Sequence, residues 1–191
     1  LGVSRTAVWK QVEALRALGY EVEAAPRKGY RLVARPDLVT PAEILPGLTT
    51  RRLGRTIEYR ERVGSTNDLA KELARAGAPE GLLVVADEQT SGKGRLGRTW
   101  LTPPGSALAM SLVLRPEMPP HHAPRITLAA AVAVCEAVRE LTGLPAGIKW
   151  PNDVQIGGRK LCGILTEMEA EMERVAFVVL GVGVNVSLRR E

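Results

Sequence analysis

The glycine-rich stretch SGKGRLGRTW, Ser91 to Trp100, runs into Leu101, Thr102 and then Pro103-Pro104-Gly105. That order constrains the fold more than any other feature of the chain. The spacing Gly92, Gly94, Gly97 fits G-x-G-x-x-G, but in a doubly wound fold this fingerprint must open straight into a helix, whose N-terminus holds a pyrophosphate. Two prolines and a glycine forbid a helix here. A kinase glycine loop does lie between strands, yet the chain has neither H-R-D nor D-F-G. A Walker A loop fails as well, because Gly92-Lys93 is followed by Gly94 and residue 87 is an aspartate. What remains is a flexible excursion between strands, with Lys93, Arg95 and Arg98 set among glycines that permit close backbone approach. Cations so placed neutralise carboxylate or phosphate oxygens, and a loop of repelling charges with few apolar contacts is expected to be ordered by its ligand.

The segments around the loop read mainly as strands. Residues 54–63 alternate, while LLVVADEQ (82–89), SALAMSLVLR (106–115) and VAFVVLGVGVNV (175–186) read as buried strands. IKWPNDVQI (148–156) and RKLCGILTEME (159–169) read as two strands joined by a tight turn at Gly157-Gly158. One helix opens at Ser65-Thr-Asn-Asp68 and runs to about Ala76, with Ser65 as N-cap, Asp68 as its capping-box partner and Gly77 and Pro79 as the stop. A second, rich in Ala and Val, runs from Arg125 to Leu141 and ends at Gly143. Hairpin-joined strands with two separated helices predict an α+β fold with a mixed or antiparallel sheet over 54–191.

The N-terminal residues follow a different plan. SRTAVWKQVEALRAL (4–18) reads as a helix capped by Ser4 and closed by Gly19, with Val8, Val12, Leu15 and Leu18 on one stripe. YEVEAAPRKGYRLV (20–33) reads as a hairpin. A helix followed by a basic hairpin is the back half of a winged helix-turn-helix. The helix would present Arg5, Thr6, Trp9 and Lys10 to DNA, and the wing Arg27, Lys28 and Arg31. Arg5, Lys10, Arg16, Arg27, Lys28 and Arg31 outnumber Glu13, Glu21 and Glu23, which suits phosphate contacts. The partial domain spans 1–35, and a linker with a short helix near Pro41–Leu45 spans 36–53. With no initiator Met and the preceding helices missing, the chain reads as a fragment that binds operator DNA weakly.

The whole chain carries a formal charge of +5, in keeping with an anionic ligand or nucleic acid. Cys135 and Cys162 sit in apolar runs, as thiols kept reduced in a cytoplasm do, and no Cys/His set has zinc spacing. No apolar run approaches a membrane span.

A second cationic cluster, KWPNDVQIGGRKLCGIL, holds Lys149, Asn152, Asp153 and Lys160. A lysine on a strand of small and apolar residues requires an anionic partner to offset its desolvation. Asn152 and Asp153 supply oxygens suited to a nucleotide or to Mg²⁺, Asp153 being the one candidate ligand for that metal.

In order and spacing, STN (65–67), EQTSGKGRLGRTW (88–100), KWPNDV (149–154), RKLCGIL (159–165) and GVGVNV (181–186) resemble the biotin–protein ligases. The N-terminal part resembles the bifunctional kind, which also represses biotin-synthesis genes. The resemblance covers essentially the whole chain. It implies ATP-dependent formation of biotinyl-5′-AMP and transfer of biotin to a lysine of a biotin carrier protein, with ATP, Mg²⁺, operator DNA and a sheet-edge homodimer as the partners of such a protein and no membrane among them. It assigns Lys160 and Arg95 to catalysis. It places Ser65, Thr66, Asn67, Gln89, Lys93, Gly94, Arg95, Lys160 and Gly163 around biotin, with Gly181 and Gly183 beneath its ring. It places Arg95, Arg98, Trp100, Lys149, Asn152, Asp153 and Asn185 around the nucleotide. The resemblance also implies a small C-terminal β-barrel after Glu191, which the chain is expected to lack. Two other readings stay open: a lipoyl or octanoyl transferase of the same superfamily, and a ligand-sensing DNA-binding regulator without catalysis.

Overall fold

The computed structural model describes residues 2–26 and 28–188; Arg27, expected on the wing, lies outside the described residues. The chain forms two compact units, Leu1–Leu38 and Val39–Glu191.

In the first unit, helix α1 (Arg5–Ala17) starts at Ser4, whose side-chain oxygen accepts the Ala7 N–H at 3.2 Å. Its end is a Schellman arrangement: Gly19, at φ 86°, donates to the Arg16 carbonyl and Tyr20 to the Leu15 carbonyl. Strands β1 (Glu21–Ala25) and β2 (Gly29–Ala34) pair antiparallel. Of the expected apolar stripe on α1, Val12 is buried while Leu15 and Leu18 are exposed.

The second unit opens with a short helix α2 (Pro41–Ile44). Its core is a seven-stranded mixed sheet, made of β3 (Ile57–Val63), β4 (Leu83–Gln89), β5 (Ala107–Leu114), β6 (Gly147–Lys149), β7 (Asp153–Ile156), β8 (Arg159–Glu171) and β9 (Arg174–Asn185). The order is β3-β4-β5-β9-β8-β7-β6. Only β3 and β4 run parallel, and helix α3 (Thr66–Arg75) is their crossover; every other pair is antiparallel. The mixed sheet expected from the pattern of strands and helices is thus the one formed. The stretch IKWPNDVQI, however, is not one strand. It is the hairpin β6–β7, because Pro151 has no N–H to give a ladder and the chain turns at Trp150–Asn152.

Period-two alternation divides the core between the two faces. Phe177 and Val179 of β9 pack with Val84, Val113 and the α3 residues Ala70 and Ala74. Val182 of the same strand packs with Cys162, Ile164, Val154 and the residues Ala131 and Cys135 of helix α4 (Pro124–Thr142). Burying a valine or leucine side chain contributes about 1.5–3 kcal/mol, so each helix is held chiefly by these apolar contacts. Gly143, at φ 70°, terminates α4 as expected. No described helix is long and apolar enough to cross a membrane.

Candidate functional site

On the α3 face the sheet interrupts its apolar pattern. Gly163 and Gly183 stand opposite one another on β8 and β9, and Gly181 stands opposite both Leu165 and Ser111. These missing side chains leave an open cleft in that face of the sheet. The N-terminus of α3 forms one end, and the loop Gln89–Thr102 lies across it. Trp100 of that loop lies on the glycine floor, where a Cβ at Gly183 would come within 2.5 Å of the indole and one at Gly163 within 2.8 Å. The buried Trp100 Nε1 has no hydrogen-bond partner.

Lys160 reaches the same cleft through a β-bulge. Gln155 of β7 faces Lys160 while Val154 faces Cys162, so Leu161 is an extra residue on β8. Simple alternation would put residues 160 and 163 on opposite faces. The bulge turns Lys160 onto the cleft face, with its Nζ 3.1 Å from the position of a Cβ at Gly163 and 5.3 Å from the Trp100 ring centre. Leu161 and Cys162 both join the α4 core instead. There burial pushes the Cys162 thiol up to about 12, against the opposing effect of the nearby Lys160 charge. The Lys160 ammonium meets Asp153 Oδ1 at 2.8 Å, an ion pair without an aligned hydrogen bond.

A buried polar network forms the α3 end of the cleft. Ser65 occupies the N-cap position, but its side chain makes no capping bond. Gln89 Oε1 takes that place, accepting the Thr66 N–H at 2.8 Å and the Thr66 hydroxyl at 3.0 Å. The expected capping box is also absent, because the Asp68 carboxylate is drawn to two ammonium groups, Lys93 at 2.6 Å and Lys71 at 3.0 Å. Partial burial works to raise the Asp68 pKa, but hydrogen bonds from Lys93 and Lys71 outweigh it and hold the carboxyl below its ordinary value. Burial likewise opposes the charge on Lys71, and bonds to Glu167 and Asp68 prevail and raise it. Asn67 donates to Glu167 Oε2 at 2.8 Å and to the Leu165 carbonyl at 3.3 Å, and accepts from Ser111 at 2.6 Å.

The loop is tied down by more than its composition suggests. Gly94 donates to the Arg98 carbonyl and Trp100 to the Gly92 carbonyl. A Cβ at Gly92 would fall 2.3 Å from the Trp100 oxygen, so that closure requires glycine. Lys93 is paired with Asp68 rather than left free, contrary to the expectation that the loop's cations wait for a ligand. Arg95 Nη1 donates to Asn152 Oδ1 at 3.0 Å, and Asn152 is fixed in turn by its Nδ2 bond to the Ile164 carbonyl.

Among the residues singled out from sequence, Ser65, Thr66, Asn67, Gln89, Lys93, Gly94, Arg95, Trp100, Asn152, Lys160, Gly163, Gly181 and Gly183 line this one cleft. Asp153 stands behind Lys160 as its counter-ion, and Asn185 donates to the Lys160 carbonyl at 3.3 Å. Arg98 is exposed and lines a neighbouring hollow, and Lys149 is exposed on the short strand β6, so neither lines the cleft. No described group of three His, Cys, Asp or Glu residues could hold a metal ion. Sequence reasoning passed over Met110, Leu165 and Val182 in the wall, and Ser111 and Glu167 behind it. A serine inside the apolar run SALAMSLVLR was the available signal for Ser111. In the first unit Arg5, Thr6, Trp9, Lys10 and Lys28 are exposed, while Arg31 is paired with Glu23.

Comparison with known proteins agrees with this fold. The sequence profile described as the biotin/lipoate A/B protein ligase family matches residues 59–185, and a helix-turn-helix (HTH) domain profile matches residues 1–31. The chain is 51% identical over 187 residues to the bifunctional ligase/repressor BirA of Bacillus subtilis and 35% identical over 191 residues to that of Escherichia coli. These matches cover 98% and 100% of the chain but 58% of each relative. A biotin protein ligase from Aquifex aeolicus, solved in complex with biotin and ATP, superposes with a TM-score of 0.59 at 33% identity, over 72% of this chain and 55% of that one. With its glycine floor and both cationic segments inside the matched region, the chain belongs to the biotin/lipoate A/B protein ligase family.

Proposed function

We propose that the protein activates biotin with ATP to biotinyl-5′-AMP and transfers the biotinyl group to a lysine of a biotin carrier protein. The observation that carries this reading is the convergence of Lys160, from the β8 bulge, and Arg95, from the loop, on a cleft whose other end is the Thr66–Gln89–Asn67 network. The reaction brings a carboxylate up to a triphosphate, and two fixed cations offset that repulsion and the charge that grows on the phosphate oxygens. In the first step a biotin carboxylate oxygen attacks the α-phosphorus and pyrophosphate leaves. Lys160 binds the carboxylate and an α-phosphate oxygen. Arg95 exchanges Asn152 for phosphate oxygens and retains the adenylate. In the second step the carrier's lysine amine attacks the acyl carbon, AMP leaves and the amine loses a proton.

Ser65, Thr66, Asn67 and Gln89 surround the ureido head, Lys93 and Gly94 the tail, and Gly163, Gly181 and Gly183 let the ring lie against backbone. Trp100, with its unpartnered indole N–H, Asn152 and Asn185 are the nucleotide's neighbours. Arg98 and Lys149 reach its phosphates only if their segments move. Mg²⁺ would screen the triphosphate when bound; Asp153, the carboxylate beside Lys160, is engaged by that lysine, which favours a metal that enters with the nucleotide.

The first unit supports a biotin-responsive repressor role through Arg5, Thr6, Lys10 and Lys28. Beyond residue 163, β8 pairs only with β9 among the described strands, an edge on which a second copy can add to the sheet. Two buried free thiols fit a reducing cytoplasm.

Incubation with α-labelled ATP and biotin tests the activity: labelled biotinyl-AMP and free pyrophosphate are expected. Adenylate formed from lipoate or octanoate instead would give the site to the other branch of the family, and ligand-linked DNA binding with no adenylate would leave a regulator.

A further inference from the structure

Ser111 is fully buried in the middle of β5 and touches no open space, yet it contacts two of the residues that form the α3 end of the cleft. We infer that Ser111 sets the hydrogen-bonding polarity of that end, and so selects a ligand head offering two N–H donors and one carbonyl, a cyclic urea, over a head offering none. The inference rests on biotin being the ligand.

Its basis is an inventory of hydrogens. Ser111 has one hydroxyl hydrogen for two neighbours, Asn67 Oδ1 at 2.6 Å and Thr66 Oγ1 at 2.8 Å, and Asn67 Oδ1, the nearer and able only to accept, takes it. The Thr66 hydroxyl hydrogen is then held away from the cleft, by Gln89 Oε1 at 3.0 Å and the Ser111 oxygen. Gln89 Oε1 also takes the Thr66 N–H, so both its lone pairs are used. Asn67 gives away both amide hydrogens, to the Glu167 carboxylate and the Leu165 carbonyl. These two acceptors fix the amide's orientation, since only its NH₂ side can face them. Gln89 Nε2 gives one hydrogen to Thr102 Oγ1 at 3.1 Å.

What remains for a ligand is acceptor capacity on Thr66 Oγ1 and on Asn67 Oδ1 and one hydrogen on Gln89. Two acceptors and one donor are the complement of a ureido group. A dithiolane or alkyl head would leave all three unpaired, and a site built to hydrogen-bond its ligand rejects such heads strongly. Without the Ser111 hydroxyl, the Thr66 hydroxyl can rotate its hydrogen toward the cleft and Asn67 Oδ1 loses its buried donor. Ser111 is therefore a positioning residue.

The test is calorimetric titration of wild type, Ser111→Ala and Ser111→Cys with biotin, desthiobiotin and lipoate. Desthiobiotin keeps the ureido group and lacks the thioether. Ser111→Ala is expected to bind biotin and desthiobiotin roughly 10- to 100-fold more weakly, with lipoate binding unchanged or stronger and kcat for adenylate formation at saturating biotin within a few-fold of wild type. Ser111→Cys, which keeps a weak donor, is expected to fall between them, and it carries the test by itself if the alanine variant does not fold. Unchanged biotin affinity in the variants overturns the inference, as does an equal loss for biotin and lipoate, which would mark a packing role. A wild-type protein that binds no biotin would instead remove the functional reading beneath it.

Discussion

Gly181→Ala is the substitution for which the structure makes the sharpest demand. A Cβ at this position would lie 2.1 Å from Asn67 Oδ1, 2.8 Å from its Cγ and 3.0 Å from its Nδ2. A flexible side-chain end could swing aside, but the Asn67 amide is held on three sides by Ser111, Leu165 and Glu167. The strand cannot retreat either, because Gly181 is paired with Ser111 of β5 and Leu165 of β8. Overpacking a well-filled site costs about 1–3 kcal/mol, and each hydrogen bond that Asn67 gives up in turning away adds about 1 kcal/mol. A total of about 2–5 kcal/mol corresponds to a melting temperature lower by roughly 5–15 °C for a chain of this size. Gly147 is the internal control: it also lies in a strand of the sheet, but nothing stands within 4 Å of its added Cβ. Thermal unfolding followed by circular dichroism, with biotin titration of the folded protein, reads both effects. Gly147→Ala is expected to melt like wild type, and Gly181→Ala to melt early and bind biotin poorly. Wild-type melting and affinity for Gly181→Ala would mean that the amide turns away freely, and the polar network drawn above would be wrong.

Three further outcomes follow from the same site. Lys160→Ala should leave the melting curve nearly unchanged, since its pair with Asp153 is part-exposed, but slow single-turnover pyrophosphate release by about 100-fold or more; release at the wild-type rate would refute its role. With its thiol pushed up to about 12, Cys162 should resist iodoacetamide at pH 8 in the folded protein and react once urea unfolds it, which mass spectrometry can follow. The Asp68 carboxyl titrates below its ordinary value in the fold, so its stabilisation is complete above the unfolded pKa of about 4 and is lost as pH falls through the folded one. Melting temperature measured from pH 6 to pH 3 should therefore fall less steeply in Asp68→Asn than in wild type, and identical slopes would show that the Lys93–Asp68–Lys71 cluster contributes nothing.

Those parts of the molecule that follow from local rules were legible in the sequence. Ser4 and Gly19 delimit α1, Gly77 and Gly143 close the helices they follow, and Pro103-Pro104 exclude the one fold that the glycine spacing invites. The membership of the cleft was legible too, because its residues sit in short, dense motifs. The side chains that support them were not. Ser111 and Glu167 lie 44 and 100 residues from Asn67, and their roles exist only once β5, β8 and α3 are packed. The Lys160 bulge is a register event between two strands, invisible in the alternation of either. The helix cap at Ser65 was misjudged for a related reason: Gln89, from the far end of β4, offers the Thr66 N–H a better-placed oxygen than the serine does.

The cations of the cleft are committed to different degrees, and this orders how a doubly anionic ligand would engage them. Arg95 is held by the neutral amide oxygen of Asn152, so exchanging it for a phosphate oxygen replaces a neutral acceptor with a charged one and strengthens the bond. Lys160 must leave a carboxylate, but that contact lacks hydrogen-bond alignment, and part-exposed ion pairs are worth only about 0–1 kcal/mol. Lys93 is the least free, because the carboxylate it holds also binds Lys71, which is itself bonded to Glu167 at 2.7 Å. Lys93 thus ties the loop to α3, while Arg95, two residues on, would be the one released to follow a ligand. A loop pinned at one cation and free at the next would close over a ligand's phosphates without giving up its place at the α3 end of the cleft.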